Sequence, residues 1–452
     1  MTLSSLRVLL ATAESHPTHR PDVAVLFGRM LPALGVQVDL LALGSTEPAV
    51  DRTELAVDRT SPGAPADADA PSTWTAGRAH LRRVRGHVPA PVLDFLQQWQ
   101  LFALCRQGCD LLIVRDKPVL GVIGWLAARR AGVPFCYWMS YPLPEHYLWL
   151  AARRDAPVSR VRRLWLRCRG TLGQQILARV LVPRADWLFV QSQAMLDGLR
   201  AGPLQHARAS AVPMGVDLTH LPEPAAILPK GLIDSTAQTS SVAPNPAPWA
   251  VYLGTLDRAR GLEMLIDATL AVASRRPDFR LLVIGEADEP ADVGALRKAA
   301  ERAGALPWMH FTGRLPPQQA LALARRAQIG VSPVPRTPLT EVGSPTKAVE
   351  YIACGLAVVC NDQPDQAHVV RASGGGRVVA FEAQAFAEAI LELLDADPVE
   401  RARQALAARD WVGRHRGYDV IAQQVCAQLH AVARTHVSAC RSPVAGPSGE
   451  PS

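Results

Sequence analysis

The chain has 452 residues, 48% of them hydrophobic and 20% charged, with a formal net charge of +7, so we expect two or more domains and anionic partners such as nucleotides, nucleic acid or lipid headgroups. The eight cysteines show no zinc-binding spacing, the N-terminal apolar run is too short for a signal peptide, and no apolar run reaches about 18 residues. These features exclude zinc-finger, disulfide-scaffold and membrane-spanning classes and predict a cytoplasmic protein, free or peripheral on the inner face of the membrane.

Strands and helices alternate through the first half of the chain. Leu6–Ala11 and Val36–Leu41 are predicted strands joined by a helix over Pro21–Leu34, which is the β-α-β opening of a doubly wound parallel sheet. The loop 12–22 follows the first strand, where it would lie at the ligand-binding edge of such a sheet; an ordinary polar loop is the alternative. The residues of this loop with functional groups that could contact a ligand are His16, His19, Arg20 and Asp22.

The alternation continues to residue 217, interrupted by a segment at 46–77 whose Ala, Pro, Asp and Thr content predicts a loose surface insertion. The strand predicted at 110–114 ends in Arg115 and Asp116. Further strands are predicted at 134–138, 186–191 and 211–217, and helices at 91–105, 121–130 and 192–199.

The stretch 148–182 is strongly basic. Seven arginines between residues 153 and 169 accompany apolar residues, including Trp165, that recur at three- and four-residue steps. This pattern predicts a basic amphipathic helix, interrupted at Gly170. Two placements are open for it: contact with an anionic membrane surface, or packing on its own domain with a solvated basic face.

A second α/β series follows a small, polar, proline-rich segment at 231–248 that predicts a linker. Strands are predicted at 249–254, 279–285, 308–312, 329–333 and 356–360, and a helix at 262–274. A last amphipathic helix is predicted at 410–432, followed by a polar tail that we expect to be disordered.

The stretch 341–362 predicts an anion site. Ser344 is a suitable helix N-cap, and Pro345 suits the first helical position. A helix that starts there, after a strand and a loop, would offer the N–H groups of Thr346 and Lys347 to a phosphate. Glu350, lower on the same helix, could accept hydrogen bonds from the cis-diol of a ribose. An ordinary capped helix is the alternative.

Arg258 and Arg260 lie in a loop between a predicted strand and a predicted helix of the same domain. Two guanidinium groups in such a loop could clamp a diphosphate and stabilise the charge that develops on a leaving nucleotide. Surface solubility is the alternative role for these arginines. The anion site predicted at Lys347 in the same domain favours the diphosphate clamp.

Several segments resemble GT-B glycosyltransferases of the glycosyl transferase group 1 family (family 4 type). SPTKAVEYIACGLAVVCND is similar to the family's donor-sugar segment, and YLGTLDRARG resembles another of its segments with Arg260 at a lysine position. LLVIGE and FTGRL are similar to two of its strands, and VPMGVD to the close of its N-terminal domain. The resemblance covers about residues 247–410 well and the first half loosely.

The resemblance implies an α/β protein of GT-B architecture, in which two Rossmann-like domains face an inter-domain cleft. The expected parts are an acceptor domain at 1–230, a linker at 231–248, a nucleotide-sugar domain at 249–409, a helix at 410–435 packing back on the first domain, and a disordered tail at 436–452.

The resemblance also implies a function: transfer of a sugar from a nucleotide-sugar to a glycan or lipid-linked acceptor, with retention of configuration and without a cofactor or essential metal. The residue matching Glu350 binds the ribose in that family, and amides matching Thr346 and Lys347 meet the diphosphate. The implied catalytic residues are Arg258, Arg260 and Glu341. The implied substrate-binding residues are Gly285, Arg314, Ser344, Thr346, Lys347 and Glu350.

The chain departs from the family pattern at two places. Many members have two glutamates separated by seven residues, whereas eight separate Glu341 from Glu350, and Arg115 with Asp116 occupies a strand end where the family usually has a histidine. These departures favour one alternative to a transferase, a non-catalytic GT-B partner protein, and a sugar-nucleotide epimerase is a second alternative with the same fold. Nucleic acid is not an expected partner, because the basic residues lack interleaved aromatic residues and a known binding module.

Overall fold

The computed structural model describes residues 5–16, 18, 20–44, 74–82, 99–153, 159–202, 208–223, 249–287 and 289–441. Contacts divide the chain into two units. The first comprises Met1–Val190, Leu196–Ala211 and Ala422–Ser452, and the second comprises Gln191–Met195 and Val212–Ile421. The predicted linker at 231–248 lies outside the described residues.

The first unit is built on a parallel seven-stranded sheet with strand order β3-β2-β1-β4-β5-β6-β7. Every residue of β4 and β5 is buried, as expected for strands covered by helices on both faces. The strands are β1 Leu6–His16, β2 Val36–Gly44, β3 Ala79–Arg82, β4 Leu111–Arg115, β5 Phe135–Met139, β6 Trp187–Val190 and β7 Ala209–Ala211.

The helices of this unit confirm the predicted alternation with some differences in extent. The helix predicted over Pro21–Leu34 is a π-helix over Asp22–Met30 continued by Leu31–Ala33. Of the helix predicted at 91–105, the described part is helical at 99–106. The other helices are Pro118–Ala131, Leu143–Ala152, Arg160–Ile176, Leu177–Leu181, Val182–Arg184 and Gln193–Ala201.

The prediction of a loose surface insertion at 46–77 is wrong for residues 74–77. Trp74 is buried and donates its indole N–H to the carbonyl oxygen of Val38 at 2.8 Å. Gly77 approaches the backbone of Val38 so closely that a Cβ there would lie 2.4 Å from that same oxygen. Trp74 and Gly77 thus dock the chain against β2 and lead into β3, a strand that the sequence did not predict. Residues 45–73 lie outside the described ranges.

The basic stretch 148–182 is not one helix. Leu143–Ala152 and Arg160–Ile176 are separate helices that pack against each other. The contact uses glycines: a Cβ on Gly170 would lie 2.7 Å from Leu148, and one on Gly173 would lie 3.0 Å from Pro144. Gly170, which interrupts the amphipathic pattern, therefore permits close packing of the two helices.

The second unit is built on a parallel six-stranded sheet with strand order β10-β9-β8-β11-β12-β13. Its strands are β8 Trp249–Leu253, β9 Arg280–Ile284, β10 Met309–Gly313, β11 Ile329–Ser332, β12 Ala357–Asn361 and β13 Gly376–Val379. Its helices are Leu218–His220, Arg258–Arg260, Glu263–Arg275, Pro290–Arg302, Pro317–Ala324, Pro338–Glu341, Thr346–Ala353, Pro364–Ser373, Ala383–Asp395 and Pro398–Arg416.

The boundaries of the second unit differ from those predicted. Val216 forms a parallel bridge with Gly417, and both Val216 and Val412 are buried in the core of this unit. Residues 212–223 and 410–421 therefore belong with the second sheet, whereas the prediction assigned them to the first unit. Only from Ala422 onward does the last helix, Tyr418–Arg441, join the first unit, and helix continues through residues 436–441 of the predicted tail.

None of the helices in the described part of the chain is both long and apolar enough to cross a bilayer.

Candidate functional site

The strand order of the second sheet reverses direction between β8 and β11, which are neighbours although two strands separate them in sequence. In doubly wound sheets, ligands bind in the crevice at the carboxyl ends of the strands on either side of such a reversal. The loop after β8 contains Arg258 and Arg260, and the loop after β11 contains Glu341 and leads to Thr346 and Lys347. The fold thus places Arg258, Arg260, Glu341 and Ser344 in the two connections at this position, and Thr346 and Lys347 at the start of the helix that follows.

The helix that begins at Thr346 presents its N-terminus at the carboxyl edge of the sheet. Thr346 and Lys347 are its first two residues, so their N–H groups have no carbonyl partner within the helix. Together with the positive end of the helix dipole, these N–H groups are suited to bind an anion. The predicted N-cap is wrong: Pro345 occupies the capping position, and the Ser344 hydroxyl accepts from the Met214 N–H and donates to Asp365 instead.

Lys347 and Glu350 form an ion pair one turn into this helix, with Nζ 2.7 Å from Oε2. The Lys347 side chain is 32% exposed and that of Glu350 is 14% exposed. The lysine is therefore accessible to a ligand at the helix N-terminus, while the glutamate lies deeper and is already polarised by a cation. A diol that approaches Glu350 would share its carboxylate with Lys347.

Arg258 and Arg260 lie on one turn of 3₁₀-helix directly after β8. The Arg258 N–H donates to Asp292 at 3.0 Å, and the Arg260 Nε donates to the Thr255 hydroxyl at 3.3 Å. Gly261 ends the turn with φ of 60°, a left-handed conformation that glycine adopts without steric cost. The turn fixes the backbone of both arginines, while Arg258 is exposed and Arg260 half-buried.

Gly285 ends β9 and is sterically required. Its φ is 147°, and a Cβ at this position would lie 1.8 Å from the carbonyl oxygen of Gly254 at the end of β8. The backbones of these two strand ends therefore approach each other without an intervening side chain. Arg314, after β10, is 71% exposed and has its Nε 3.8 Å from Glu286. It follows the strand end as a solvent-exposed cation.

Glu341 forms an ion pair with Arg336. The sequence analysis did not identify Arg336 as a candidate site residue. Both Nε and Nη2 of Arg336 contact Glu341 Oε1, at 3.0 and 2.9 Å, and its Nη1 contacts Asp362 at 2.8 Å. Hydrogen bonds to these two carboxylates raise the pKa of Arg336. Its position in the loop after β11 was the signal that could have identified it.

The carboxyl edge of the first sheet has a second charged cluster, at the reversal between β1 and β4. Arg115 is buried and pairs with Glu14, with Asp22 at 2.8 Å and with Asp116 at 3.2 Å. Arg115 at the end of β4 thus contacts the segment predicted as the loop 12–22, but this segment is strand through His16 and helix from Asp22. His16, the last residue of β1, is buried, and His19 lies outside the described residues.

Asp116 has a φ of 63°, which is strained for a residue with a Cβ. Its carboxylate compensates by accepting from the Ser140 and Tyr141 N–H groups at 2.6 and 3.1 Å and from the Ser140 hydroxyl. Burial raises the pKa of Asp116, an effect that Arg115 and the Ser140 hydrogen bonds oppose. This residue therefore fixes the turn that follows β5.

Histidine, cysteine and acidic side chains do not converge in a metal-binding group anywhere in the described ranges. The positive charge at the second sheet's reversal comes from arginine, lysine and the helix N-terminus.

Residues 247–396 match the family model described as glycosyl transferases group 1. Over these residues the chain is similar to group 1 glycosyl transferases. The matched segment spans β8 to the helix Ala383–Asp395, so it contains every catalytic and substrate-binding residue that the sequence resemblance implies.

Curated relatives and solved structures agree with this assignment. The chain is 30% identical over 215 residues to the phosphatidyl-myo-inositol mannosyltransferase of Mycobacterium tuberculosis, which is 46% of this chain and 54% of the relative. The corresponding Mycobacterium leprae protein is 28% identical over 214 residues, covering 46% of this chain and 53% of that protein. The chain thus spans about half the length of the curated relatives it matches.

Two solved structures illustrate the fold. Sucrose-phosphate synthase from Thermosynechococcus elongatus aligns with a TM-score of 0.64 at 20% identity, covering 96% of this chain and all (100%) of that one. Anabaena HepE in complex with UDP aligns with a TM-score of 0.62 at 16% identity, covering 94% and 100%. The chain therefore has the GT-B fold, with two Rossmann-like units.

Proposed function

We propose that the protein transfers a sugar from a nucleotide-sugar to a glycan or lipid-linked acceptor, with retention of configuration. In this reaction the bond between the anomeric carbon and the diphosphate oxygen breaks, a bond to an acceptor oxygen forms, and the acceptor's proton is released. The observation that carries the proposal is the convergence of Arg258, Arg260, Lys347 and a helix N-terminus at the reversal between β8 and β11.

These cations suit a leaving nucleoside diphosphate. Negative charge on the diphosphate grows as the sugar departs, and fixed positive groups stabilise the transition state more than the ground state. No protein-bound metal is needed in the proposal, because two guanidinium groups and one ammonium supply the charge. Glu350, half-buried beside Lys347, is suited to accept hydrogen bonds from the two ribose hydroxyls. HepE, which shares the fold, has been solved with UDP and with UDP-glucose.

We propose a lipid-linked acceptor because of the helix Arg160–Ile176 and because the curated relatives are named for mannosyl transfer involving phosphatidyl-myo-inositol. The apolar residues of this helix point outward: Val161 is 80% exposed, Leu164 63%, Trp165 52% and Leu172 59%. The buried side is instead formed by Leu166, Gly170 and Gly173. A helix that packed on its own domain through its apolar face would show the opposite pattern.

The arginines flank this outward apolar stripe. At 3.6 residues per turn, Arg162 and Arg169 lie on one side of it and Arg160 and Arg167 on the other. The Arg169 guanidinium lies 4.9 Å from the centre of the Trp165 ring. An apolar stripe bordered by cations and containing tryptophan is suited to the interface of an anionic bilayer. We therefore place the protein at a membrane surface, where such an acceptor would be found.

Liposome sedimentation tests this placement. Each arginine near an anionic surface contributes about 1 kcal/mol, so changing Arg160, Arg162 and Arg167 to Gln should weaken binding about a hundredfold. A control with the same charge change replaces the exposed Arg275, Arg302 and Arg403 by Gln and should bind like wild type. Equal sedimentation with neutral and anionic vesicles, or equal loss in the control, would remove the membrane proposal.

Turnover of a nucleotide-sugar panel tests the transferase. Wild type should release nucleoside diphosphate when an acceptor lipid is present. Glu350→Ala should weaken nucleotide-sugar binding by about 1–3 kcal/mol, because charge-assisted hydrogen bonds are lost. Arg260→Ala should lower kcat more than it raises KM, since its charge acts most strongly in the transition state. A raised KM at constant kcat would limit Arg260 to ground-state binding.

A non-catalytic GT-B partner protein is the second candidate, favoured by one observation. The carboxylate of Glu341, predicted as a catalytic residue, already forms an ion pair with Arg336. If nucleotide-sugars bind but no nucleoside diphosphate is released with any acceptor, the partner role replaces the transferase.

A further inference from the structure

The loop between β11 and the helix Thr346–Ala353 lies on a buried layer of side-chain amides. Asn361, Gln363 and Gln366 are each 0% exposed, and Ser332 is 3% exposed. Buried amides are costly unless every donor and acceptor is paired. Their hydrogen bonds therefore show what this layer holds in place.

Gln363 makes the contacts that reach the loop. Its Nε2 donates to the carbonyl oxygen of Thr340 at 2.7 Å and to that of Gly343 at 3.1 Å. These carbonyls lie on either side of Glu341 and Val342, so one side-chain amide holds both ends of the segment 340–343. The Gln363 Oε1 accepts from the Gln366 N–H at 3.0 Å, which caps the helix Pro364–Ser373.

The neighbouring amides keep Gln363 in place. Gln366 accepts from the Ser332 hydroxyl at 2.8 Å and donates to Asn361 Oδ1 at 3.1 Å. Asn361 in turn pairs with both the N–H and the carbonyl of Val334, at 2.7 and 2.8 Å. The start of the loop at Val334 and its end at Gly343 are thus fixed to the same end of β12.

We propose that Gln363 is a positioning residue for the donor sugar. It sets the segment 340–343, and with it Glu341, relative to the helix N-terminus at Thr346. The proposal rests on the proposed function, with the diphosphate against the helix, and it takes the sugar to lie against this segment because Glu341 is an implied catalytic residue. Loss of the two Gln363 hydrogen bonds should therefore weaken contacts to the sugar while contacts to the diphosphate persist.

Two variants distinguish loss of the Gln363 hydrogen bonds to the loop from a general loss of folding. Gln363→Met keeps the length of the side chain and removes both donors. Gln363→Glu keeps the helix-capping oxygen, and only its protonated form can donate to the loop. The control is Gln328→Met, at the opposite end of β11, where the side chain accepts one hydrogen bond from the Trp249 N–H.

Calorimetry with UDP, GDP, UDP-glucose and GDP-mannose supplies the first readout. For the nucleotide-sugar that wild type prefers, Gln363→Met should lose about tenfold in affinity, while its nucleoside diphosphate changes by less than about threefold. Amide hydrogen exchange of the peptide 337–344 should accelerate in this variant and not in Gln328→Met. If both ligands weaken equally, or exchange does not change, the positioning role is overturned.

Turnover supplies the second readout and separates the role of Gln363 from the proposed transferase function. The kcat of Gln363→Glu relative to wild type should rise as the pH falls, because protonation restores a donor, while the ratio for Gln363→Met stays flat. Flat ratios for both variants would overturn the proposal. If wild type binds nucleotide-sugars without turnover, the proposed function fails, and the difference in affinity between sugar nucleotide and diphosphate alone decides the role of Gln363.

Discussion

Replacing Asp365 by Ala should destabilise the second unit by about 3–5 kcal/mol. The Asp365 and Arg416 side chains are only 7% and 6% exposed, with oxygen–nitrogen contacts of 2.5 and 3.2 Å. Removing the carboxylate leaves a buried guanidinium without its counter-ion and the Ser344 hydroxyl without its acceptor. Breaking a buried pair in this way costs far more than breaking a surface pair, because the remaining charge cannot be hydrated.

Differential scanning calorimetry of the full chain measures this cost. For units of about 150–250 residues, each kcal/mol shifts Tm by about 2–4 °C, so the transition of the second unit should fall by about 6–20 °C. The control is Asp395→Ala, which removes an exposed partner of Arg276 at 3.0 Å and should cost less than about 1 kcal/mol. A shift below about 2 °C, or one equal to the control, would refute the reasoning.

Two further predictions concern backbone space and pH. Gly285→Ala should abolish nucleotide binding or folding of the second unit, because the added Cβ would overlap the Gly254 carbonyl oxygen. The control is Gly294→Ala, in a helix interior where an added Cβ meets nothing within 4 Å, and it should be neutral or stabilising by about 0.5–1 kcal/mol. Equal solubility and thermal unfolding of both variants would contradict this prediction. Burial lowers the pKa of His146, so its imidazole should titrate below about 6.5 in an NMR titration. Because the unfolded chain binds the proton more readily than the folded chain, this histidine lowers the free energy of unfolding as the pH falls below about 6.5. An NMR midpoint at or above that pH would contradict the prediction.

The second sheet was predictable because its strands are short apolar runs separated by helices at regular distances. β8, β9, β11 and β12 lie within about two residues of their predicted bounds. The N-cap was not predictable. Ser344 has the residue type and position that favour capping, but Asp365 and Met214 compete for its hydroxyl. Neither is near it in sequence, so the local capping preference is overridden by tertiary contacts.

The first unit shows a different limit of sequence reasoning. The periodicity of the basic stretch identified an apolar face but not the direction in which it points. The direction depends on Gly170 and Gly173, which allow the opposite face to pack closely against Leu148 and Pro144. β3 was missed because Ala79–Arg82 is short and half of its residues are basic, so its pairing with β2 had no local signal.

The Val216–Gly417 bridge has a consequence for how such proteins can exchange parts by recombination. The second unit is assembled from segments that are distant in sequence, since residues 212–223 and 398–421 complete the core formed by 249–396. A gene fragment limited to the family-matched region would encode Asp365 without Arg416 and the sheet without Val216. A chimaera that grafts a new donor specificity therefore needs crossover points near residues 212 and 421, on both flanks of the matched region.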